Sequence, residues 1–104
     1  MKSVDLRMSE IEYGKIRELC SKHKVRKLFV FGSILTNKFN DQSDVDLIVD
    51  FDKKEISDYF LNFFDFKYSL EDVFGRKVDL LEDRPFKNSY LRNKIENTKA
   101  LIYG

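Results

Sequence analysis

The sequence predicts a small α+β domain, in which a mixed β-sheet of about three strands is flanked by helices in the order α-β-β-α-β-α. Two short stretches, residues 25–32 and 45–51, are rich in β-branched and aromatic side chains, as strands are. Two longer stretches, residues 9–24 and 57–74, repeat apolar residues at helical spacing. A length of 104 residues fits one domain, so we expect a single unit over residues 1–104.

The first predicted helix begins at a capping box, because Ser9 stands three residues before Glu12. Apolar residues keep a helical spacing from there to about Lys24, and the strand that follows ends at Gly32. The second strand alternates strictly, which predicts one apolar face and one mostly acidic face. The apolar face consists of Val45, Leu47, Val49 and Phe51, and the other of Asp44, Asp46, Ile48 and Asp50.

The second predicted helix can be capped by Ser57 and stopped by Gly75. Five of the ten phenylalanines fall between residues 60 and 74, and we expect them to fill the core. The residues expected at helical spacing are Phe60, Phe63, Phe64, Lys67, Leu70 and Phe74.

A short third strand is predicted over residues 77–81, and it should lie beside the strand over residues 45–51. Pro85 then breaks the chain. A last helix is predicted from Asn88 or Ser89 onward, with an apolar face formed by Leu91, Ile95, Thr98 and Ile102.

Charge is distributed unevenly along the chain, although the net charge is only +1. Residues 1–43 carry a net charge of +4, residues 44–83 carry −7, and residues 84–104 carry +4. The acidic middle part begins at an Asp-Val-Asp motif, and like charges at this density favour a bound cation.

Composition also excludes several classes of protein. The one cysteine, Cys20, can form neither an internal disulfide nor a multi-cysteine zinc site, which fits a reducing cytoplasm. No apolar stretch approaches the roughly 20 residues of a membrane span. The basic residues around His23 are expected to be a solvated helix end, so a stable nucleic-acid partner is not favoured. Four acidic residues are expected to be solvated on a helix surface: Asp58, Asp65, Glu71 and Asp72.

The chemistry of the chain concentrates between Gly32 and Asp46. A glycine at a strand end lets the backbone approach a ligand closely, and the following N–H groups with the Ser33 hydroxyl can hold phosphate oxygens. Asp44 and Asp46 project from the same face of a strand, roughly 6–7 Å apart. Mg²⁺ is typically held by one or two carboxylates together with substrate phosphates. The combination predicts a site for a nucleoside triphosphate with magnesium.

A third carboxylate completes this pattern. Asp79 is the charged residue between Val78 and Leu80 in the short third strand. If Val78 and Leu80 face inward, Asp79 shares a face with Lys77 and Leu81. A carboxylate near the metal site could accept the proton of an attacking hydroxyl.

Taken together, Gly-Ser, then Asp-x-Asp opening an alternating strand, then an aspartate in a later strand resembles the DNA polymerase β-like nucleotidyltransferase superfamily. The size is similar to that of its minimal members, the MNT domains, and the resemblance covers nearly the whole chain. It implies that Asp44, Asp46 and Asp79 bind two Mg²⁺ ions and that Gly32 and Ser33 hold the triphosphate. It further implies attack of a hydroxyl on the α-phosphorus of a nucleoside triphosphate, with release of pyrophosphate.

For MNT domains, the resemblance implies a specific partner and role. Such proteins are often encoded beside a HEPN-domain ribonuclease toxin, and they act as antitoxins by transferring AMP from ATP to a toxin tyrosine. The segment after Ser33 departs from the usual pattern, since Ile34–Asn37 contains no arginine. Lys38 is then the candidate side chain for contacting phosphate.

Two alternatives stay open from the sequence. The first is a binding module that keeps the fold and neutralises a toxin by stoichiometric contact, which the absent arginines favour. The second is a nucleotidyltransferase that modifies a small molecule, although such enzymes usually need more chain to build an acceptor pocket.

Overall fold

A computed structural model describes residues 9–31, 44–83 and 99–104 of the chain. In chain order, the elements are helix α1 (Glu10–Lys22), strands β1 (Val25–Phe31) and β2 (Val45–Phe51), a 3₁₀ turn (Lys53–Glu55), helix α2 (Tyr59–Phe74), and strands β3 (Val78–Glu82) and β4 (Ala100–Tyr103). Most of the predicted last helix lies outside the described residues. None of the helices in the described ranges is long and apolar enough to cross a membrane.

The helix ends follow local capping rules. Ser9 and Glu12 form the predicted capping box: the Ser9 hydroxyl accepts the Glu12 N–H at 3.2 Å, and the Glu12 carboxylate accepts the Ser9 N–H at 3.1 Å. At the start of α2 the cap is Asp58, rather than the predicted Ser57, and its carboxylate accepts the Leu61 N–H at 3.1 Å. Gly75 ends α2 in the left-handed conformation, as predicted.

The strands form one mixed sheet in the order β3-β2-β1-β4. Strand β1 pairs antiparallel with β2 and β4, whereas β2 and β3 run parallel. The predicted α+β class, mixed sheet and β2–β3 adjacency are confirmed, and a fourth strand is added to the three expected. Ile102, which was expected on a helix, belongs to β4 and lies within the sheet.

Both helices cover the same face of the sheet. The predicted apolar face of β2 is confirmed, since Val45, Leu47, Val49 and Phe51 are all at most 3% exposed. Their partners in the core include Ile16 and Cys20 from α1, Leu28 and Val30 from β1, Phe66 and Leu70 from α2, and Val78 and Leu80 from β3. Burying a side chain of this size stabilises the fold by about 1.5–3 kcal/mol relative to leaving it exposed.

The phenylalanines of α2 do not all fill the core, contrary to the sequence expectation. Phe66 is fully buried, whereas Phe60 is 74% exposed. Phe63 and Phe74 are partly buried against the core. Because phenylalanines occur on several sides of this helix, only one of these sides can face the sheet.

Candidate active site

The Asp-Val-Asp motif lies at the start of β2, as the alternation predicted. Val45 between the two aspartates is fully buried among the helices, and Asp44 and Asp46 are each half-buried. Since successive side chains of a strand point to opposite faces, Asp46 lies on the face away from α1 and α2. The motif therefore presents its carboxylates on the side of the sheet opposite these two helices.

Strand pairing brings the third predicted carboxylate to the same place. β2 and β3 are parallel, and Asp46 stands directly beside Asp79 in their register. On either side of Asp79, Val78 and Leu80 are buried in the core, so Asp79 points to the face that carries Asp46. Two residues 33 positions apart in sequence are thus neighbours across two strands.

Electrostatics at Asp46 reflect this grouping. Burial raises the pKa of the Asp46 carboxyl above its ordinary value, and the negative charges of Asp79 and then Asp44 raise it further. Among the ion pairs of the described residues, none involves these three carboxylates. A cation placed between them would offset the repulsion and lower the pKa of the Asp46 carboxyl again.

The donor set suits a nucleotide-bound ion better than a protein-only metal centre. Within residues 9–31, 44–83 and 99–104, no group of three histidine, cysteine, aspartate or glutamate side chains is arranged to hold a metal ion. Mg²⁺ needs fewer than three protein ligands, because it takes one or two carboxylates and completes its coordination shell with phosphate oxygens and water. The donors that the described residues bring to this position are carboxylate oxygens, which Mg²⁺ prefers.

Strand β1 ends beside the carboxylates and directly before the Gly-Ser pair in sequence. Phe31, the last residue of β1, pairs with Asp46 across β1 and β2. Gly32, the next residue in sequence, begins the predicted phosphate-holding segment. Gly32, Ser33 and Lys38 themselves lie outside the described residues.

A glutamate near the site has a role that the sequence pattern did not indicate. Glu71 of α2 was expected to be solvated, but its carboxylate accepts the N–H of Val78, the residue before Asp79, at 2.9 Å. Lys67, one turn earlier, lies 3.7 Å from the same oxygen. The separation of four residues between Lys67 and Glu71 was a visible signal for that ion pair, but the contact with β3 depends on the fold.

His23 is not solvated, contrary to the sequence expectation. It is 2% exposed, and its Nε2 lies 2.6 Å from a carboxylate oxygen of Asp65 on α2. Its Nδ1 lies 2.7 Å from the carbonyl oxygen of Leu19. This pair connects the C-terminal end of α1 to the middle of α2 on the covered side of the sheet, so it does not belong to the carboxylate site.

Three carboxylates on one face of a mixed sheet, beside a strand that leads into a Gly-Ser pair, place the protein in the class of nucleotide-transferring enzymes. The sequence profile of the family described as "Polymerase beta, Nucleotidyltransferase" matches residues 14–104. The chain belongs to this family, and it is a nucleotidyltransferase.

Relatives of similar length support this assignment. MJ0128 of Methanocaldococcus jannaschii, named as a candidate protein adenylyltransferase, is 40% identical over 85 residues, which are 82% of this chain and 82% of that protein. Protein adenylyltransferase MntA of Thermococcus cleftensis is 36% identical over 79 residues, which are 76% of this chain and 77% of that protein.

Solved structures share the fold. A candidate minimal nucleotidyltransferase matches with a TM-score of 0.70 and 26% identity, over 96% of this chain and 98% of that one. A toxin–antitoxin structure with AMP-PNP matches at 0.66 and 20% identity, over 88% of this chain and 73% of that one. A chain from the complex of tri-AMPylated Shewanella oneidensis HEPN toxin with MNT antitoxin matches at 0.61 and 19% identity, over 93% of this chain and 73% of that one.

Proposed function

We propose that this protein is a Mg²⁺-dependent protein adenylyltransferase that moves AMP from ATP onto a hydroxyl group of a partner protein. The acceptor is a tyrosine of a HEPN-domain ribonuclease toxin, and the modification makes this chain the antitoxin. The observation that carries the proposal is the register of Asp46 with Asp79 on the face of the sheet away from α1 and α2, next to the strand that precedes Gly32 and Ser33 in sequence.

Each residue has a defined task in this proposal. Asp44, Asp46 and Asp79 would hold two Mg²⁺ ions, which supply positive charge to the triphosphate when bound. Gly32, Ser33 and Lys38 would hold phosphate oxygens. Asp79 would also accept the proton that the acceptor hydroxyl releases. The hydroxyl oxygen forms a bond to the α-phosphorus of ATP. The bond from that phosphorus to the oxygen bridging the α- and β-phosphates breaks, and pyrophosphate leaves.

The names and structures of the relatives support the protein acceptor and the nucleotide. Two relatives are named as protein adenylyltransferases, one of them as a candidate. The structural neighbours include one with the ATP analogue AMP-PNP and one with a tri-AMPylated HEPN toxin. We assign the reaction to the cytoplasm, since the buried Cys20 is a free thiol and needs no oxidising compartment.

Intact-protein mass spectrometry tests the proposal. The proposed HEPN-domain partner is incubated with this chain, with Mg²⁺ and with each of the four nucleoside triphosphates in turn. We expect the partner to gain one or more AMP units with ATP, and no gain when Mg²⁺ is chelated. The Asp44→Ala/Asp46→Ala double variant should bind the partner and transfer nothing.

Asp50→Ala is the matched control for this double variant. Asp50 lies on the same strand and the same face, but it pairs with Arg26 at 3.2 Å instead of joining the carboxylate group. It should transfer AMP like the wild type. If the wild type forms a tight complex without any mass gain, the chain is a stoichiometric binder, and the segment Ile34–Asn37 without arginines is the reason to examine first. If transfer occurs only to small hydroxyl compounds, the acceptor is not a protein.

A further inference from the structure

We infer that Glu71 is a positioning residue for the proposed active site, because its carboxylate fixes the start of the strand that carries Asp79. The inference rests on the proposed function in one respect, namely that Asp79 takes part in the reaction. The contact itself is independent of any function: Glu71 Oε2 accepts the backbone N–H of Val78 at 2.9 Å.

Among the described strands, none lies beside the Val78 N–H on its own side. In residues 9–31, 44–83 and 99–104, β3 is at the edge of the sheet and neighbours β2. The carbonyl of Lys77 faces β2, since it accepts the Val45 N–H at 3.0 Å. Backbone groups of successive residues in a strand point to opposite sides, so the Val78 N–H faces away from β2. Glu71 supplies the acceptor that a further strand would otherwise provide, and Val78 is fully buried.

Glu71 is itself held in place at both its backbone and its side chain. Its carbonyl accepts the N–H of Gly75 at 2.8 Å, and Gly75 turns the chain from α2 toward β3 with a φ of 68°. Its carboxylate lies 3.7 Å from Lys67 Nζ, and the two side chains are only 23% and 20% exposed. The end of α2, the turn and the start of β3 are therefore connected through one residue.

The position of Asp79 depends on this connection. Val78 is the residue immediately before Asp79, and Asp79 is in register with Asp46. If the start of β3 moves, the distance between the Asp79 and Asp46 carboxylates changes with it. Reactions of this kind are sensitive to such shifts, and a misplacement of about 1 Å can lower a rate on the order of 100-fold.

Three substitutions separate the acceptor role from charge and from general stability. Glu71→Gln keeps an acceptor oxygen on a side chain of the same length but removes the charge. Glu71→Ala removes the acceptor. Glu71→Asp keeps the charge on a side chain that is one methylene shorter. Asp72→Ala is the matched control, because Asp72 is the next residue of α2 and is exposed.

Hydrogen exchange of the Val78 amide, followed by NMR, measures whether this N–H is hydrogen-bonded. The measurement does not depend on enzymatic activity. We expect protection at Val78 to fall in Glu71→Ala and Glu71→Asp and to stay near the wild-type level in Glu71→Gln and Asp72→Ala. Unchanged protection in Glu71→Ala would overturn the inference, since the N–H would then have another acceptor.

Transfer kinetics test the consequence for Asp79 at a temperature where melting curves show every variant folded. For Glu71→Ala we expect kcat to fall by about 10- to 100-fold, with a higher Mg²⁺ concentration for half-maximal rate and an unchanged KM for the partner protein. Glu71→Gln should restore kcat. A wild-type kcat in Glu71→Ala, or no rescue in Glu71→Gln, would contradict a positioning role. If the proposed function is wrong, the wild type transfers no nucleotide. The hydrogen-exchange result at Val78 still tests the Glu71 contact in that case.

Discussion

At the scale of single residues, His23 illustrates how a buried polar group is satisfied. Both of its ring nitrogens face acceptors, the Leu19 carbonyl oxygen and the Asp65 carboxylate. An imidazole N–H can donate to either of these acceptors. The Asn62 amide donates to the His23 carbonyl oxygen at 2.9 Å. His23 thus joins the C-terminal end of α1 to α2 by a charge-assisted hydrogen bond.

Acid unfolding tests this pair. The hydrogen bond from His23 is the largest cause that lowers the pKa of Asp65 below its ordinary value of 3.8. Because the folded-state pKa is the lower one, the stabilisation is fully present above pH 3.8 and is lost as the pH falls through the folded-state pKa. We expect Asp65→Asn to reduce stability at pH 7 and to make urea midpoints less dependent on pH in the acid range.

Asp72→Asn is the control for that experiment, because Asp72 is exposed on the same helix seven residues later. Its urea midpoints should follow the wild type at every pH. Equal behaviour of the Asp65 and Asp72 variants would mean that the His23 contact adds nothing to stability.

At the scale of elements, the sequence predicted best the features that depend on neighbouring residues, such as strand alternation and helix ends. Strand β2 was predicted with its bounds and its inward face, because strict alternation admits one register against a core. The capping box at Ser9 and the stop at Gly75 were also predicted, since both depend on a few neighbouring residues. The N-cap of α2 was placed one residue early, at Ser57 instead of Asp58.

What the sequence missed depends on pairing between distant segments. Ile102 was assigned to a helix by its spacing from earlier apolar residues, whereas β4 forms through its pairing with β1. The partner of His23 is 42 residues away, and that of Glu71 belongs to another element. The inward face of α2 could not be selected by periodicity, because phenylalanines surround the helix. The proximity of Asp46 and Asp79 follows from the sequence only if the strands that carry them, β2 and β3, are expected to be neighbours.

Two glycines in helical settings should respond oppositely to the same substitution. Gly75 has a φ of 68°, where a Cβ is strained even though nothing lies within 4 Å of it. Gly14 lies inside α1 without a positive φ, and a Cβ there would be 3.9 Å from the Arg17 guanidinium, an ordinary contact. We expect Gly75→Ala to lower the free energy of unfolding by about 1 kcal/mol and Gly14→Ala to raise it by about 0.5–1 kcal/mol.

Thermal unfolding measures both changes, because about 1 kcal/mol shifts Tm by roughly 4–8 °C in a domain of this size. Shifts of the same sign would show that backbone conformation does not control the response. The result matters for the site, since Gly75 forms the turn between Glu71 and the strand of Asp79.

At the scale of the whole molecule, the two faces of the sheet have separate tasks. One face is covered by α1 and α2 and holds the apolar core. The opposite face presents Asp44, Asp46 and Asp79, whose mutual repulsion the fold tolerates. Negative charges grouped without a cation oppose stability, and strain of this kind concentrates at functional sites. The strongly negative middle of the chain is therefore partly a property of the site, within a molecule of net charge +1.

Neighbouring residues of β2 should consequently show opposite effects on stability and function. Leu47 is fully buried on the helix side, so Leu47→Ala should lower the free energy of unfolding by about 2–5 kcal/mol. Asp46 lies on the other face with a raised pKa, so the folded state binds its proton more tightly than the unfolded chain, and ionisation at neutral pH opposes folding. We therefore expect Asp46→Asn to raise Tm in metal-free buffer at pH 7 while abolishing transfer. A lower Tm for Asp46→Asn would mean that its carboxylate stabilises the empty fold, and the carboxylate group would then need a structural explanation instead of a catalytic one.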